Sequence, residues 1–368
     1  MKEYNTKEPL IDYPWKQEAI RIIDWLKDQP LAYRPFIFDI CMSLAYMDST
    51  SGLEKHLETC PSCPKDFNGH VGFINLCSPC FEFSETWQYQ KAAKPQSGAL
   101  GKLSSEMILK FVEILFDEFV ETYSIGGTEV ADAQLIHKNG NTILAEVKSA
   151  PMLTFPLLVK IPDIAVNGHE ICSLTSSQFR ELESALYLHD KEFISLGQIK
   201  DNHWPFKPVA DFLENPENSA MVEKMFSTWN SARSAYSEKD RDSHLYYLAN
   251  ASGGPPKIAK ERDNWPRKES ISDSKTSAGM DRTDDIKKGI YQVLKLGVKN
   301  HDNSTVETAL ISNLPAYRHG ADYVDPFIPI LYGNEDKIVK EGDIEYIKRE
   351  NLRYVFDHLI TLDSPILR

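Results

Sequence analysis

Two carboxylates and one amine stand close together in the stretch of residues 128–150: Asp132, Glu146 and Lys148. Glu146 and Lys148 are two residues apart in an apolar run, so in a β-strand their side chains point to the same face. Mg²⁺ takes one or two carboxylates, and a neighbouring lysine stabilises the charge that develops at phosphorus. The trio therefore predicts metal-assisted hydrolysis of a phosphodiester.

The surrounding residues predict a β-hairpin. Alternating apolar runs over residues 130–136 and 142–148 flank a polar turn over residues 138–141, and that pattern is typical of two paired strands. The charged side chains would then occupy one face of the hairpin, and the apolar side chains would occupy the other.

The length of the turn decides whether Asp132 joins the pair. A two-residue Asn-Gly turn would put Asp132 on the apolar face, because a slip of one residue exchanges the two faces. A three-residue loop over residues 139–141, or a bulge with the same effect, sets Asp132 opposite Lys148 and Gln134 opposite Glu146. We therefore predict the three-residue loop.

The arrangement Asp132-x13-Glu146-x-Lys148 resembles the Asp…Glu-x-Lys signature of the PD-(D/E)XK nucleases, to which most type II restriction endonucleases belong. The resemblance implies an α/β (α+β) fold, with a mixed-sheet core flanked by helices. It implies that Asp132 and Glu146 bind Mg²⁺ and that Lys148 positions the attacking water. A second Glu-x-Lys, at residues 335–337, lies in a polar loop without an apolar strand, and it serves as an internal negative control.

The same resemblance implies a function: a type II endonuclease that cuts double-stranded DNA at a specific site and leaves 5′-phosphates and 3′-hydroxyls. A homodimer is implied, since two copies of one active site most simply cut both strands of a symmetric target. A separate DNA methyltransferase would protect the host. Three alternatives stay open: another nuclease on the same core for repair or for DNA structures, a zinc-ribbon DNA-binding protein without catalysis, and a half-solvated hairpin whose Glu and Lys are surface charges.

Four cysteines form two C-x2-C pairs with thirteen residues between the pairs; they are Cys60, Cys63, Cys77 and Cys80. This spacing suits tetrahedral coordination of a structural Zn²⁺ by four thiolates. We predict that the zinc stabilises a helical N-terminal subdomain over residues 1–100, with an iron–sulfur cluster or a redox pair as the alternatives. The two remaining cysteines, Cys41 and Cys172, are predicted to be buried thiols.

Composition limits the other function classes. The chain has 368 residues and a formal net charge of -13, which argues against a protein that coats nucleic acid non-specifically. No apolar run approaches the roughly 18 residues of a membrane span, and the first residues do not resemble a signal peptide. These features predict a cytoplasmic protein of a bacterial or archaeal cell that does not bind membranes.

An amphipathic helix over residues 104–123 is predicted directly before the hairpin. Related nucleases place a helix here, and some carry on it a glutamate that reaches the metal. The candidates for that role are Glu106, Glu113 and, beside the first strand, Glu129; for each of them the alternative is a solvated carboxylate on a helix or loop.

After the hairpin, the PD-(D/E)XK resemblance requires a helix followed by a strand, and residues 283–295 and 305–314 have those patterns. The nuclease core then covers residues 101–368, with residues 151–282 as an insertion that carries target recognition. Alternatively, residues 175–188 and 193–196 could supply the same helix and strand.

The remaining pattern predictions concern the periphery. Residues 253–283 contain a basic stretch around Trp265, which is either a surface loop or a loop that orders on DNA. Helices are predicted over residues 15–27, 35–47 and 215–236, a strand over residues 152–161, and an amphipathic region over residues 345–360.

Overall fold

The computed structural model describes residues 4–53, 55–58, 67–72, 78–85, 97–126, 130–162, 171–240, 242–249, 278–281, 283–300, 303–327 and 357–364. The strands in these ranges are β1 (Thr6–Lys7), β2 (Lys55–Glu58), β3 (Gly69–Val71), β4 (Phe119–Ile125), β5 (Ala133–His137), β6 (Thr142–Val147), β7 (Leu157–Val159), β8 (Ile171–Leu174), β9 (Glu183–Tyr187), β10 (Phe193–Gln198), β11 (Val306–Ser312) and β12 (His358–Thr361). The helices are α1 (Lys16–Trp25), α2 (Tyr33–Ser51), α3 (Ser78–Ser84), α4 (Ser97–Leu115), α5 (Ser176–Arg180), α6 (Phe206–Glu214), α7 (Ser219–Glu238), α8 (His244–Leu248), α9 (Thr283–Lys299) and α10 (Gly320–Tyr323).

Within the described residues, a mixed six-stranded sheet forms the centre of the fold, in the order β1-β4-β5-β6-β11-β12. The strands β4, β5 and β6 follow one another as antiparallel neighbours, whereas β11 runs parallel to both β6 and β12. The prediction of a mixed α/β fold with a mixed sheet and flanking helices is confirmed at this level. The strand that carries the charged residues, β6, lies inside the sheet.

The predicted hairpin is confirmed, but its predicted register is wrong by two residues. Ala133 pairs with Ala145, and Gln134 pairs with Leu144 instead of Glu146. The loop does have three residues, 138–140: the N–H of His137 donates to Asn141 O, and the N–H of Gly140 donates to His137 O. Because a shift of two residues keeps every side chain on its face, the predicted alternation survives the error.

Gly140 allows the tight turn of this hairpin, since its φ is +87°, in the left-handed region that favours glycine. We expect Gly140→Ala to lower the free energy of unfolding by about 1 kcal/mol, because alanine is strained in that conformation. Gly101→Ala is the matched control: Gly101 lies inside α4 with open space where a Cβ would stand, so alanine there should be neutral or stabilising. Urea unfolding of both variants tests the expectation, and an equal effect of the two substitutions would contradict it.

The predicted helix over residues 104–123 is correct only in its first part. Helix α4 begins earlier, at Ser97, and ends at Leu115. Residues 119–125 form β4, which pairs with β5 along the sheet. Apolar residues at 116, 119 and 123 also fit helical spacing, and the long-range pairing with β5 overrides that local signal.

The described residues of the range 151–282 add no strand to the central sheet. The strands β7, β9 and β10 join β3 in a second, antiparallel sheet with the order β10-β9-β7-β3. The alternative that residues 175–188 and 193–196 supply the helix and strand beside the hairpin is therefore wrong. The capping box of Thr175 is present, but its helix ends at Arg180, because residues 183–187 pair as a strand with both β7 and β10.

The helix and strand that the resemblance requires after the hairpin are present as α9 and β11. The N-terminal helices and the helix predicted over residues 215–236 are also confirmed, as α1, α2 and α7. The strand predicted over residues 152–161 is reduced to β7.

The central sheet is covered on both faces. Ile143, Ala145 and Val147 of β6 belong to the large core that includes α1, α2 and α4. On the opposite face, Leu144 packs with Leu296 of α9. The predicted domain boundary at residue 100 falls inside α4, and buried residues on both sides of it contribute to the same core.

No helix in the described ranges is long and apolar enough to cross a bilayer. Several predictions concern residues outside those ranges: the basic stretch around Trp265, the second Glu-x-Lys at residues 335–337, and most of the amphipathic region over residues 345–360.

Candidate active site

Asp132 stands where β5 begins, one residue before the first paired position of the hairpin. Its N–H donates to Ala145 O at 2.9 Å, and its Oδ2 accepts from the N–H of Val147 at 3.0 Å. One further step along the observed register sets Asp132 beside Glu146 instead of the predicted Lys148. The structure therefore brings the two predicted carboxylates together more directly than the predicted register does.

Glu146 is a buried carboxylate, with a relative exposure of 6%. Burial, together with the facing carboxylate of Asp132, raises the pKa of Glu146 to about 7, although the ammonium of Lys148 acts in the opposite direction. The alternative that Glu146 is a surface charge on a half-solvated hairpin is wrong, because α9 and β11 cover that face. A buried carboxyl whose pKa lies near neutrality, beside a second carboxylate, is typical of a functional site.

Lys148 follows directly after β6 and forms an ion pair with Glu146. Its N–H donates to Ile311 O at 2.8 Å, so the pairing with β11 extends to this residue. Helix α9 passes close by at Gly289, where a Cβ would lie 3.0 Å from Leu310 Cδ1 and 3.5 Å from Lys148 Cγ. The one sequence signal for Gly289 is its place in the middle of an amphipathic helix, where a glycine indicates close packing.

A cleft of about 740 Å³ opens at the carboxyl end of β6. Asp132 and Lys148 line it, together with residues from the first turns of α4 and with Asp285 from the first turn of α9. The amino-terminal ends of two helices thus border the same space, and helix amino termini favour anionic ligands. Two lysines that sequence analysis did not single out, Lys7 and Lys102, also line the cleft.

Of the helix glutamates, Glu106 lines this cleft and Glu113 does not. Glu106 is 1% exposed; its Oε2 accepts from the N–H of Leu10, and its Oε1 makes no hydrogen bond but lies 3.6 Å from Lys102 Nζ. Glu113 instead binds Lys110 and Thr122. The third candidate, Glu129, lies outside the described residues.

Among the side chains that the structure describes, no group of three or more His, Cys, Asp and Glu is arranged to hold a metal ion. Asp132 and Glu146 are a pair of carboxylates, which is the number that Mg²⁺ commonly takes from a protein alongside water and phosphate oxygens.

The predicted zinc ligands Cys60, Cys63 and Cys77 lie outside the described residues, and so does the side chain of Cys80. Cys41 is a buried free thiol, as predicted, and burial raises its pKa. The side chain of Cys172 lies outside the described part of the chain.

Comparison of the chain with protein-family models, with curated proteins and with solved structures found no match.

Proposed function

We propose that this protein is a Mg²⁺-dependent endodeoxyribonuclease of the PD-(D/E)XK type, and more specifically a type II restriction endonuclease. The observation that carries the proposal is the meeting of Asp132, Glu146 and Lys148 at the carboxyl end of a central strand, beside a cleft of about 740 Å³. An incidental Glu-x-Lys on a surface strand would not place a buried carboxyl next to a second one.

The order of the elements also supports this proposal. Helix α4 precedes the hairpin, and α9 and β11 follow it with β11 beside β6, as the PD-(D/E)XK resemblance requires. The described residues of the range 151–282 add no strand to the central sheet, and three of their strands join a second sheet. We assign target recognition to that insertion, since a core used for catalysis leaves base reading to added structure.

The carboxylate pair fits a divalent cation. Two facing carboxylates in a buried setting repel each other, and the raised pKa of Glu146 reports that repulsion together with burial. A cation between Asp132 and Glu146 would remove the repulsion. When bound, Mg²⁺ would neutralise charge on a DNA phosphate and lower the pKa of a water molecule.

Lys148 is the third side chain of the proposed site, beside the two carboxylates. In this structure its ammonium binds Glu146, and a cation held by that carboxylate would release the amine toward the cleft that it lines. There the amine can hold the attacking water by a hydrogen bond and stabilise the negative charge that develops at phosphorus. Water attacks phosphorus in line, the bond to the 3′-oxygen breaks, and the products are a 5′-phosphate and a 3′-hydroxyl.

Glu106 is the one of the two described helix glutamates that lines the same cleft, although it does not form a three-carboxylate metal group with Asp132 and Glu146. Its buried carboxylate lines the cleft and retains one oxygen without a hydrogen bond. Lys7 and Lys102 stand at the same cleft and can neutralise neighbouring phosphates of the bound DNA.

The remaining proposals come from the sequence resemblance and from the cysteine spacing. A structural Zn²⁺ would be held by Cys60, Cys63, Cys77 and Cys80. The enzyme would act as a homodimer on double-stranded DNA, and a separate methyltransferase would protect host DNA.

We expect the purified protein to cut long, unmethylated duplex DNA into discrete fragments when Mg²⁺ is present, and we expect Glu146→Ala to lose this activity because it removes a metal ligand. Glu113→Ala is the matched control, since Glu113 lies on α4 outside the cleft and should leave the fragment pattern unchanged. Gel electrophoresis after incubation with Mg²⁺ or with EDTA is the measurement.

Other outcomes would select the alternatives. A smear of fragments would favour a repair or structure-specific nuclease on the same core. No cleavage of several DNAs by a folded protein with confirmed zinc content would favour a DNA-binding protein without catalysis.

A further inference from the structure

Two residues after Lys148, the backbone of Ala150 is held by a buried side chain, that of Asn313. Asn313 follows directly after β11 and has a relative exposure of 0%. Its Oδ1 accepts from the N–H of Ala150 at 3.1 Å, and its Nδ2 donates to the carbonyl of Ala150 at 2.8 Å. A primary amide offers an acceptor and a donor side by side, so it can take the place of a backbone partner.

This amide prolongs the sheet beyond its last backbone bond. The N–H of Lys148 donates to Ile311 O at 2.8 Å, and the Asn313 side chain then bonds both backbone groups of Ala150. The segment of residues 148–150 is therefore fixed to β11 at both ends. A segment held in this way has little freedom to move toward or away from the cleft.

Two further contacts hold the same segment from other sides. The hydroxyl of Ser104 on α4 donates to Ser149 O at 3.0 Å, and the N–H of Gly279 donates to Ala150 O at 3.0 Å. A Cβ on Gly279 would lie 2.8 Å from Ser312 Oγ and 3.0 Å from Leu314 O, so these chain segments meet without spare room. Lys148, Ser149, Ala150 and Gly279 all line the cleft, whereas Asn313 does not.

We propose that Asn313 is a positioning residue of the nuclease: through Ala150 it fixes the Cα of Lys148, and thereby the reach of the ammonium relative to Glu146 and the scissile phosphate. The proposal rests on the proposed function. It assigns Asn313 no contact with DNA or metal, and so predicts an effect on the rate of the chemical step instead of on DNA affinity. Misplacement of a reacting group by about 1 Å can slow a reaction by about 10²-fold.

The chain contains a matched control for this side chain. Asn68, just before β3, makes the same pair of bonds to Ile161, with Oδ1 accepting at 2.7 Å and Nδ2 donating at 2.9 Å. This second clamp holds the exit of β7 in the second sheet, and neither residue lines the cleft. Asn313→Asp and Asn68→Asp therefore remove the same chemistry from two places, only one of which leads to Lys148. Asn313→Ala and Asn68→Ala form a second matched pair, without a buried charge, in case Asp is not tolerated at 313.

The experiment measures single-turnover cleavage of duplex DNA, DNA affinity in Ca²⁺, and amide hydrogen exchange by mass spectrometry. We expect the Asn313 variants to cleave about 10²-fold more slowly with affinity unchanged, and to exchange faster over residues 148–150. The Asn68 variants should keep the wild-type rate at a comparable loss of melting temperature. In a Lys148→Ala background, loss of the Asn313 amide should slow cleavage by less than about threefold, because a residue that acts through Lys148 has no effect without it.

Two results would overturn the assignment while leaving the nuclease in place: equal cleavage rates for the matched Asn313 and Asn68 variants, or unchanged exchange over residues 148–150. A different result would overturn the proposed function, and the positioning role with it. In that result the wild type binds DNA but never cuts it, although the Asn313 variants exchange the amide hydrogens of residues 148–150 faster than the wild type.

Discussion

Replacing Glu146 with glutamine should strongly slow the proposed DNA cleavage and, at the same time, make the folded protein more stable above about pH 7. The loss of activity is expected to be on the order of 10³-fold, because the variant removes a proposed Mg²⁺ ligand and the partner of Lys148. The gain in stability follows from the burial of Glu146, which is 6% exposed and faces Asp132. If the proposed function holds, the catalytic need for two carboxylates side by side explains why the fold keeps a pair that lowers its stability.

The direction of the pH dependence follows from the raised pKa. Burial and Asp132 raise the pKa of Glu146 from 4.5 to about 7 in the folded protein. A carboxyl shifted upward in the folded state contributes its full stability below about pH 4.5, and loses it as the pH rises through about 7. Glutamine does not titrate, so the variant should be more stable than the wild type at pH 8 and nearly equal to it at pH 4.5.

We expect a difference of about 3 kcal/mol at pH 8, since each pKa unit corresponds to about 1.4 kcal/mol and the pKa of about 7 already includes the opposing attraction of Lys148. Urea unfolding in EDTA at the two pH values is the measurement. Glu113→Gln, which loses bonds to Lys110 and Thr122, should be no more stable than the wild type at either pH. If Glu146→Gln is less stable than the wild type at pH 8, the ion pair of Glu146 stabilises the fold. That result would contradict the expectation that the buried carboxylate lowers the stability.

Removal of the Asp39 carboxylate should have the largest effect on stability. Asp39 lies on α2 with 0% exposure and accepts from the N–H groups of Met152 and Leu153, at 3.1 and 2.9 Å, and from Trp229 Nε1 at 2.7 Å. It thus connects α2 to the chain just beyond the candidate active site and to α7. Asp39→Ala leaves three buried donors without an acceptor, and we expect a loss of about 3–5 kcal/mol in the free energy of unfolding.

A second aspartate on the same helix provides the comparison. Asp48 also accepts from a tryptophan, Trp15 Nε1 at 2.9 Å, but it makes this single side-chain bond at a partly buried position. Asp48→Ala should therefore cost about 1 kcal/mol. Equal losses for the two variants in urea unfolding would mean that the bonds from Met152 and Leu153 add nothing to the stability of the fold. Burial also raises the pKa of Asp39 to about 7. Asp39 is present in both the wild type and Glu146→Gln, so the difference in their stability at pH 8 comes from the titration of Glu146 alone.

Local alternation determined which side chains share a face of the hairpin. Residues 132, 146 and 148 have the same parity, so any loop with an odd number of residues places Asp132, Glu146 and Lys148 together. The predicted register was nevertheless wrong by two residues, because residues 138–140 form the loop, with Gly140 in the left-handed position. An error of two residues leaves every side chain on its predicted face, so the prediction that Asp132 and Glu146 share a face was still correct.

Long-range packing decided the rest. Residues 119–125 fit a helix as well as a strand, and pairing with β5 made them β4. Helix α9 and strand β11, more than 130 residues after Glu146, bury its carboxyl, and no pattern around residue 146 encodes that cover. The clamp of Asn313 on Ala150 likewise joins positions 163 residues apart.

The sequence by itself thus determined which charged side chains the candidate site contains and that they share one face, since side-chain alternation is a local property of a strand. Only the tertiary structure decided the register, the burial that raises the pKa of Glu146, and the hydrogen bonds that hold residues 148–150. These properties come from contacts between segments distant in the chain, where the free energy of packing outweighs local preference.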